Sequence, residues 1–204
     1  MKMKLLILTI VFLAVSNIFA QTEIKMRVDP NFDSPDILSI LRFESIGFEK
    51  AVFSGSELKN KHYIITIKEF TDGKLARTET AFDSNELGDF AKIKGETFGF
   101  RVLTKITPEK TAKFQFQFDR FSVVKEYKVG ENFKDFALKN FLGTSIETVI
   151  PSNKNTYIFT YMMPYEKKDG SKAYCEVAQS GANPEDFGKK FSIPTYFLID
   201  IKFQ

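Results

Sequence analysis

The side chains able to do chemistry in this chain are few and scattered. His62 is the single histidine and Cys175 the single cysteine among 204 residues. A structural zinc site takes about four His, Cys or acidic ligands, so one of each supplies no such site within a monomer. Cys175 has no second cysteine for an intramolecular disulfide. Between Tyr174 and Glu176-Val177 it reads as a small hydrophobe buried in a strand. A nucleophilic role would need a base, and His62 stands far off in sequence. Asp29-Pro30-Asn31-Phe32-Asp33 places oxygen ligands at alternate positions, as a calcium loop does. Ser34 and Ile40 stand where an EF-hand loop requires Gly and Glu, so the segment reads as a turn that caps a helix. There is no nucleophile elbow, phosphate loop or dinucleotide fingerprint.

Carboxylates are harder to set aside, because a glycosidase needs only two acids roughly 5–10 Å apart from any two strands. Glu166, Glu176, Asp186 and Asp200 are candidates, and each reads first as a solvated surface acid. The segment richest in ring and polar groups is Tyr157-Ile158-Phe159-Thr160-Tyr161-Met162-Met163-Pro164-Tyr165-Glu166. Alternation puts Tyr157, Phe159 and Tyr161 on one face. They either pack a core or present a platform that stacks on a sugar or a partner. On the second reading Tyr161, Tyr165 and Tyr174 are the candidate binding residues. No residue is assigned to catalysis, to a metal or to a cofactor.

These side chains must be carried by strands. Thr97–Ile106 places Phe98, Phe100, Val102 and Ile106 on one side. Residues 113–118 alternate Lys113, Gln115 and Gln117 against Phe114, Phe116 and Phe118. Thr195–Phe203 sets Phe197, Ile199, Ile201 and Phe203 opposite Asp200 and Lys202. Such alternation marks antiparallel strands with one wet face. Asp72-Gly73 is a hairpin turn, since Gly and a few polar residues adopt φ > 0 cheaply. A two-residue loop there pairs Phe70 with Leu75, Ile65 with Thr80 and Tyr63 with Phe82. Asp169-Gly170 is a second such turn, between 157–167 and 171–177, and Asp119-Arg120 is a bulge or a bend between sheets.

Three short helices are expected. Ser34-Pro35-Asp36 starts one through Ile37, Leu38 and Leu41. Residues 132–142 carry Phe133, Phe136, Ala137 and Phe141 on one side before Gly143. Asn183-Pro184-Glu185 opens a third that pairs Phe187 with Phe191. Nine or ten strands with three helices predict a mainly β chain, an antiparallel β-sandwich over 21–204. The alternative is two small β domains split near residue 150, with 151–155 as the boundary.

Residues 1–20 have the pattern of a cleavable signal peptide. Lys2 and Lys4 precede an apolar run at 5–15 interrupted only by Thr9, and Ala20 stands at the cut. That run is shorter than the roughly 20 residues that span a bilayer, so no transmembrane segment is expected after cleavage. Removal of both lysines leaves 27 basic against 26 acidic side chains. A near-neutral exported chain makes no electrostatic case for nucleic acid.

Four segments carry a resemblance: Met163-Pro164-Tyr165-Glu166, Tyr174-Cys175-Glu176-Val177, Phe187-Gly188-Lys189-Lys190-Phe191 and the closing Phe197-to-Phe203 strand. Phe53-Ser54-Gly55-Ser56-Glu57-Leu58-Lys59-Asn60-Lys61 ahead of a strand belongs with them. On these segments the chain resembles uncharacterised exported proteins of gut-type Bacteroidetes grouped as a domain of unknown function. The resemblance implies an exported bacterial domain, periplasmic or secreted, and carries over no catalytic residue. The first functional reading is therefore a non-catalytic exported module that binds a glycan, a peptide or an envelope protein. An envelope structural or assembly subunit that pairs strand edges with another chain and a hydrolase built on two carboxylates are the alternatives.

Overall fold

The computed structural model describes residues 23–29, 34–130 and 135–204. The signal peptide expected at 1–20 lies outside them, as do residues 30–33 of the acidic turn and residues 132–134 of the second expected helix.

Two antiparallel sheets pack face to face. The first runs β7-β6-β5-β2-β1-β9, built from β1 (Ile24–Val28), β2 (Gly47–Ser54), β5 (Thr97–Ile106), β6 (Thr111–Gln117), β7 (Ser122–Lys128) and β9 (Glu147–Ile150). The second runs β4-β3-β13-β10-β8, from β3 (Tyr63–Thr71), β4 (Lys74–Asp83), β8 (Ala137–Asn140), β10 (Thr156–Met162) and β13 (Thr195–Phe203). Also among the described residues are a two-stranded ribbon, β11 (Tyr165–Glu166) with β12 (Lys172–Ala173), three α-helices, α1 (Pro35–Phe43), α2 (Cys175–Ala178) and α3 (Phe187–Phe191), and three 3-10 segments, Ser56–Leu58, Ser84–Phe90 and Pro184–Asp186. This is the mainly β, sandwich-like architecture that the alternation predicts.

Burial of the apolar strand faces drives the pairing. Phe100, Val102, Phe114 and Phe116 from the first sheet meet Phe197, Ile199, Ile201 and Phe203 from the second. Rings cross the interface edge-on, with centroids 5.2 Å apart for Phe114–Phe197 and 5.1 Å for Phe53–Phe203, the geometry that ring quadrupoles favour. A second cluster lies on the reverse of the five-stranded sheet. There Phe70, Met162, Tyr196 and Leu198 are covered by Val177 and Phe187 from α2 and α3 and by Ile193. The central strands of this sheet thus have no fully wet face. Alternation within β13 separates two sides but does not reveal that helices cover the second. Asp200, expected on a solvated side, is fully buried.

Asp72 and Gly73 both have positive φ, 50° and 70°, and close a two-residue hairpin. Phe70 faces Leu75 as expected. Two register shifts leave Ala76 and Ala81 as extra residues on β4, so Ile65 meets Phe82 rather than Thr80. A further shift at Ile158 in β10 breaks the expected row of aromatics. Phe159 and Tyr161 enter the inter-sheet core, whereas Tyr157 joins the cluster on the reverse face.

Other local expectations also change. Asp119-Arg120 is the tip of a tight β6–β7 hairpin, closed by the Phe118 N–H donating to the Phe121 carbonyl at 2.9 Å. It is not a bend between sheets. Within the expected 132–142 helix, 137–140 is strand β8, because its backbone completes the β10 edge. The strand expected through 167 stops at Met162, ahead of Pro164. Cys175 opens α2 and is exposed, not buried in a strand. Residues 151–155 carry the chain from β9 in one sheet to β10 in the other.

Candidate functional site

A groove of about 470 Å³ lies where the six-stranded sheet meets the 91–96 loop and the Asp119-Arg120 hairpin tip. Alternation in β5 sends Phe98 and Phe100 inward and leaves Gly99 and Arg101 on the other side. Gly99 lets β5 lie close against β2: a Cβ there would come within 2.9 Å of the Ala51 carbonyl oxygen. Rings wall the inner side. Phe118 stacks on Phe121 with centroids 4.6 Å apart, and Phe90 approaches Phe121 at 6.0 Å.

Pairing fixes the rim. The Asn60 N–H donates to the Ile93 carbonyl at 2.9 Å, and the Ile93 N–H returns to Lys61 at 3.0 Å. The Gly55 N–H donates to the Glu96 carbonyl at 2.9 Å. The Arg120 guanidinium lies 4.2 Å from the Phe90 ring centroid and donates to the Phe90 carbonyl. Such a preformed concave surface loses little entropy on binding.

Charge around the groove is one-sided. Arg27, Lys50, Lys92, Lys94, Arg101 and Arg120 line it, against one lining acid, Asp119. Asp29 neutralises part of this, 3.0 Å from Lys50 and 4.0 Å from Arg27, and Lys92 pairs with Asp89 at 3.4 Å. Among the described residues, no acid lies within ion-pair reach of Lys94 or Arg101. Lys50 and Arg101 are direct cross-strand neighbours, a like-charge placement that costs stability in an isolated sheet. A cleft lined by one sign of charge concentrates ions of the other. The lining residues include neither histidine nor cysteine and hold a single acid, Asp119.

The residues singled out from sequence lie elsewhere. Tyr161 is 1 % exposed, packed against Phe114 and Phe136. Both sides of its ring meet the core, so it offers no platform. Tyr165 and Tyr174 are half-buried near the β11–β12 ribbon. Tyr165 meets Phe191 edge-on at 5.8 Å, and the Tyr174 hydroxyl donates to the Asp135 carbonyl with the Lys139 ammonium 5.9 Å from its ring. The three tyrosines therefore do not share a surface.

Glu166, Glu176 and Asp186 are exposed. Asp200 instead joins a polar cluster on the reverse of the five-stranded sheet, which sequence reasoning did not find. The Asn155 amide donates to Asp200 Oδ1 at 2.7 Å, and burial raises the carboxyl pKa. Nearby, the Lys68 ammonium donates at 2.7 Å both to the Tyr157 hydroxyl and to Glu185. The hydrogen bonds that Glu185 accepts from Lys68 and from Tyr157 hold its carboxyl below its usual range. A cleft of about 640 Å³ opens beside Asn155 and Tyr157. Opposed carboxyl shifts are what an acid–base pair requires, but Asp200 has no surface from which to reach a substrate. The charges of Lys68 and Glu185 also cancel.

His62 meets a serine: its Nδ1 lies 3.0 Å from Ser84 Oγ. Ser84 is fully buried, and its hydroxyl caps the start of β3 by accepting from the Tyr63 N–H at 2.8 Å. The long edge strand β4 bears Lys74, Arg77 and Glu79 and two register shifts, devices that discourage edge-to-edge pairing. Among the described residues, no helix is long and apolar enough to cross a membrane. No family model, curated protein or solved structure matches the chain.

Proposed function

We propose that this chain is an exported, non-catalytic binding module whose ligand is an acidic glycan held in the groove over Gly99. The observation that carries the reading is the pair Lys94 and Arg101, two cations with no acid in ion-pair reach among the described residues, beside a ring-walled hollow with a pinned rim. A sugar that bears carboxylate or sulfate groups suits both features. Its charges accept from the guanidinium and ammonium groups, and its apolar ring face lies against Phe90 and Phe121. The leader pattern of residues 1–20 and the resemblance to exported Bacteroidetes proteins support the export half of the reading.

The test is a thermal-shift panel of acidic and neutral polysaccharides on the chain without residues 1–20, in parallel with Arg101→Glu and Lys94→Glu. Both variants are at the surface, and Arg101→Glu places opposite charges across from Lys50, so folding is retained. A ligand bound only by the native state raises the melting temperature as its concentration exceeds Kd. Acidic chains are expected to raise it, neutral ones not, and each variant is expected to reduce the rise. Equal shifts with neutral chains, or shifts unchanged in both variants, would overturn the reading.

A further inference from the structure

The groove occupies one corner of a larger surface. Lys25 and Arg27 from β1, Lys50 from β2, Arg101 and Lys105 from β5, Lys113 from β6 and Lys128 from β7 all point away from the core, on the outer face of the six-stranded sheet. Against them, the described strand residues of that face offer Glu126 and Glu147, with Asp29 and Glu44 at its margin. No outward-facing residue of these strands is buried. Lys105 lies directly across from Lys113, as Lys50 lies across from Arg101. Two like-charge pairs thus sit on one face. Between them runs a row made of Phe48, Leu103, Gln115 and Val124, matched residue for residue across four strands. Val124 is 46 % exposed.

Beside this face stands α1. Leu38 and Leu41 are half-buried and turn towards the body, and no residue of the helix is fully buried. Ile37, Ile40 and Phe43 recur every third position on another side. They are 53 %, 62 % and 87 % exposed. The helix end is tied to the cationic face, because Glu44, next after Phe43, lies 3.6 Å from the Lys105 ammonium. An exposed apolar helix side and a field of cations therefore adjoin.

We propose that the outer face of the six-stranded sheet and α1 together dock the protein on an anionic lipid bilayer, with Ile37, Ile40 and Phe43 entering the headgroup boundary. Neither signal suffices alone. Three apolar side chains give marginal partitioning, and cations near an anionic surface add to it, so that the pair yields stable attachment. A soluble polyanion would satisfy the lysines and leave Phe43 in water. A bilayer satisfies both. The docking face shares Arg27, Lys50 and Arg101 with the groove, but Ile40, Phe43, Lys105 and Lys113, on which its test rests, do not line the groove.

The chain contains no tryptophan, so Phe43→Trp installs a single fluorophore at the side chain expected to enter lipid. The probe is the chain without residues 1–20, whose apolar run would itself partition. It is mixed with phosphatidylcholine vesicles with or without phosphatidylglycerol. A blue shift and protection from acrylamide are expected with the anionic vesicles and not with the neutral ones. Lys105→Gln and Lys113→Gln are each expected to lower vesicle binding by about fivefold, from the contribution of one cation near an anionic surface. Ile40→Ser, read by vesicle sedimentation, is expected to lower it as well. An unshifted spectrum with anionic vesicles, while circular dichroism shows the fold intact, would overturn the proposal. So would equal binding to both vesicle types, or a spectrum that stays solvent-exposed while an acidic polysaccharide binds the same lysines.

Discussion

Glu49 on β2 shares its side of the strand with Ala51 and Phe53, so its carboxyl points into the end of the sandwich rather than to solvent. The Asn140 amide donates to Glu49 Oε1 at 3.4 Å. Burial pushes the carboxyl pKa up from 4.5 to about 7, against the weaker opposing effects of the Asn140 hydrogen bond and the Lys139 charge. A pKa raised on folding means that the native state holds the proton more tightly than the unfolded chain. The stability this proton carries is complete below the unfolded value and is lost as pH rises through about 7. At 1.36 kcal/mol per unit, the loss approaches about 3 kcal/mol. Glu49→Gln keeps the shape and one acceptor oxygen for the Asn140 amide, and removes the titration. Urea unfolding between pH 4.5 and 8.5, with midpoint and slope fitted separately, is the assay. The variant is expected to match the native chain near pH 4.5 and to exceed it by up to about 3 kcal/mol near pH 8.5. A stability difference that does not change with pH, or a variant that loses ground as pH rises, would refute the reasoning.

Other consequences are simpler to read. A Cβ at Gly188 would lie 2.6 Å from the Gly73 Cα, where α3 packs on the β3–β4 turn. Gly188→Ala is thus expected to cost about 1–3 kcal/mol, measured by urea unfolding. Tyr161→Ala removes a ring from the inter-sheet core and is expected to cost about 3–5 kcal/mol, whereas Tyr165→Ala, half-buried outside that core, costs clearly less. Cys175, exposed at the start of α2, is expected to react fully with a thiol reagent before any denaturant is added. A thiol that labels only on unfolding would contradict the helix placement.

Local features were legible where the cause is local. The turn at Asp72-Gly73 follows from two residues that tolerate positive φ, and the strands with alternating Phe and Lys or Gln follow from their period of two. The Ser34-Pro35 start of α1 and the Phe187–Phe191 pairing, with centroids 5.9 Å apart, follow in the same way. What failed depends on a distant partner. The bulges at Ala76, Ala81 and Ile158 exist only relative to neighbouring strands. Residues 137–140 carry a helical pattern, yet the β10 edge claims their backbone. Asp200 looked wet because alternation separates two faces without revealing that helices cover the second.

The groove was illegible for a related reason. Arg27, Lys50, Lys94, Arg101 and Arg120 come from five separate stretches and form no motif. Strand phase alone puts Lys50 and Arg101 outward, but only the β2–β5 register makes them neighbours. The tyrosines cluster in sequence, and the bulge in β10 together with core packing disperses them.

The most direct test of the groove is calorimetric titration of a uronic-acid oligosaccharide into the native chain and Arg101→Glu, at low and at physiological ionic strength. Saturable binding that weakens with salt, as screening of exposed charges requires, and that is lost in Arg101→Glu is the expected result. Absence of heat with the native chain, or binding of equal strength in the variant, would contradict the account.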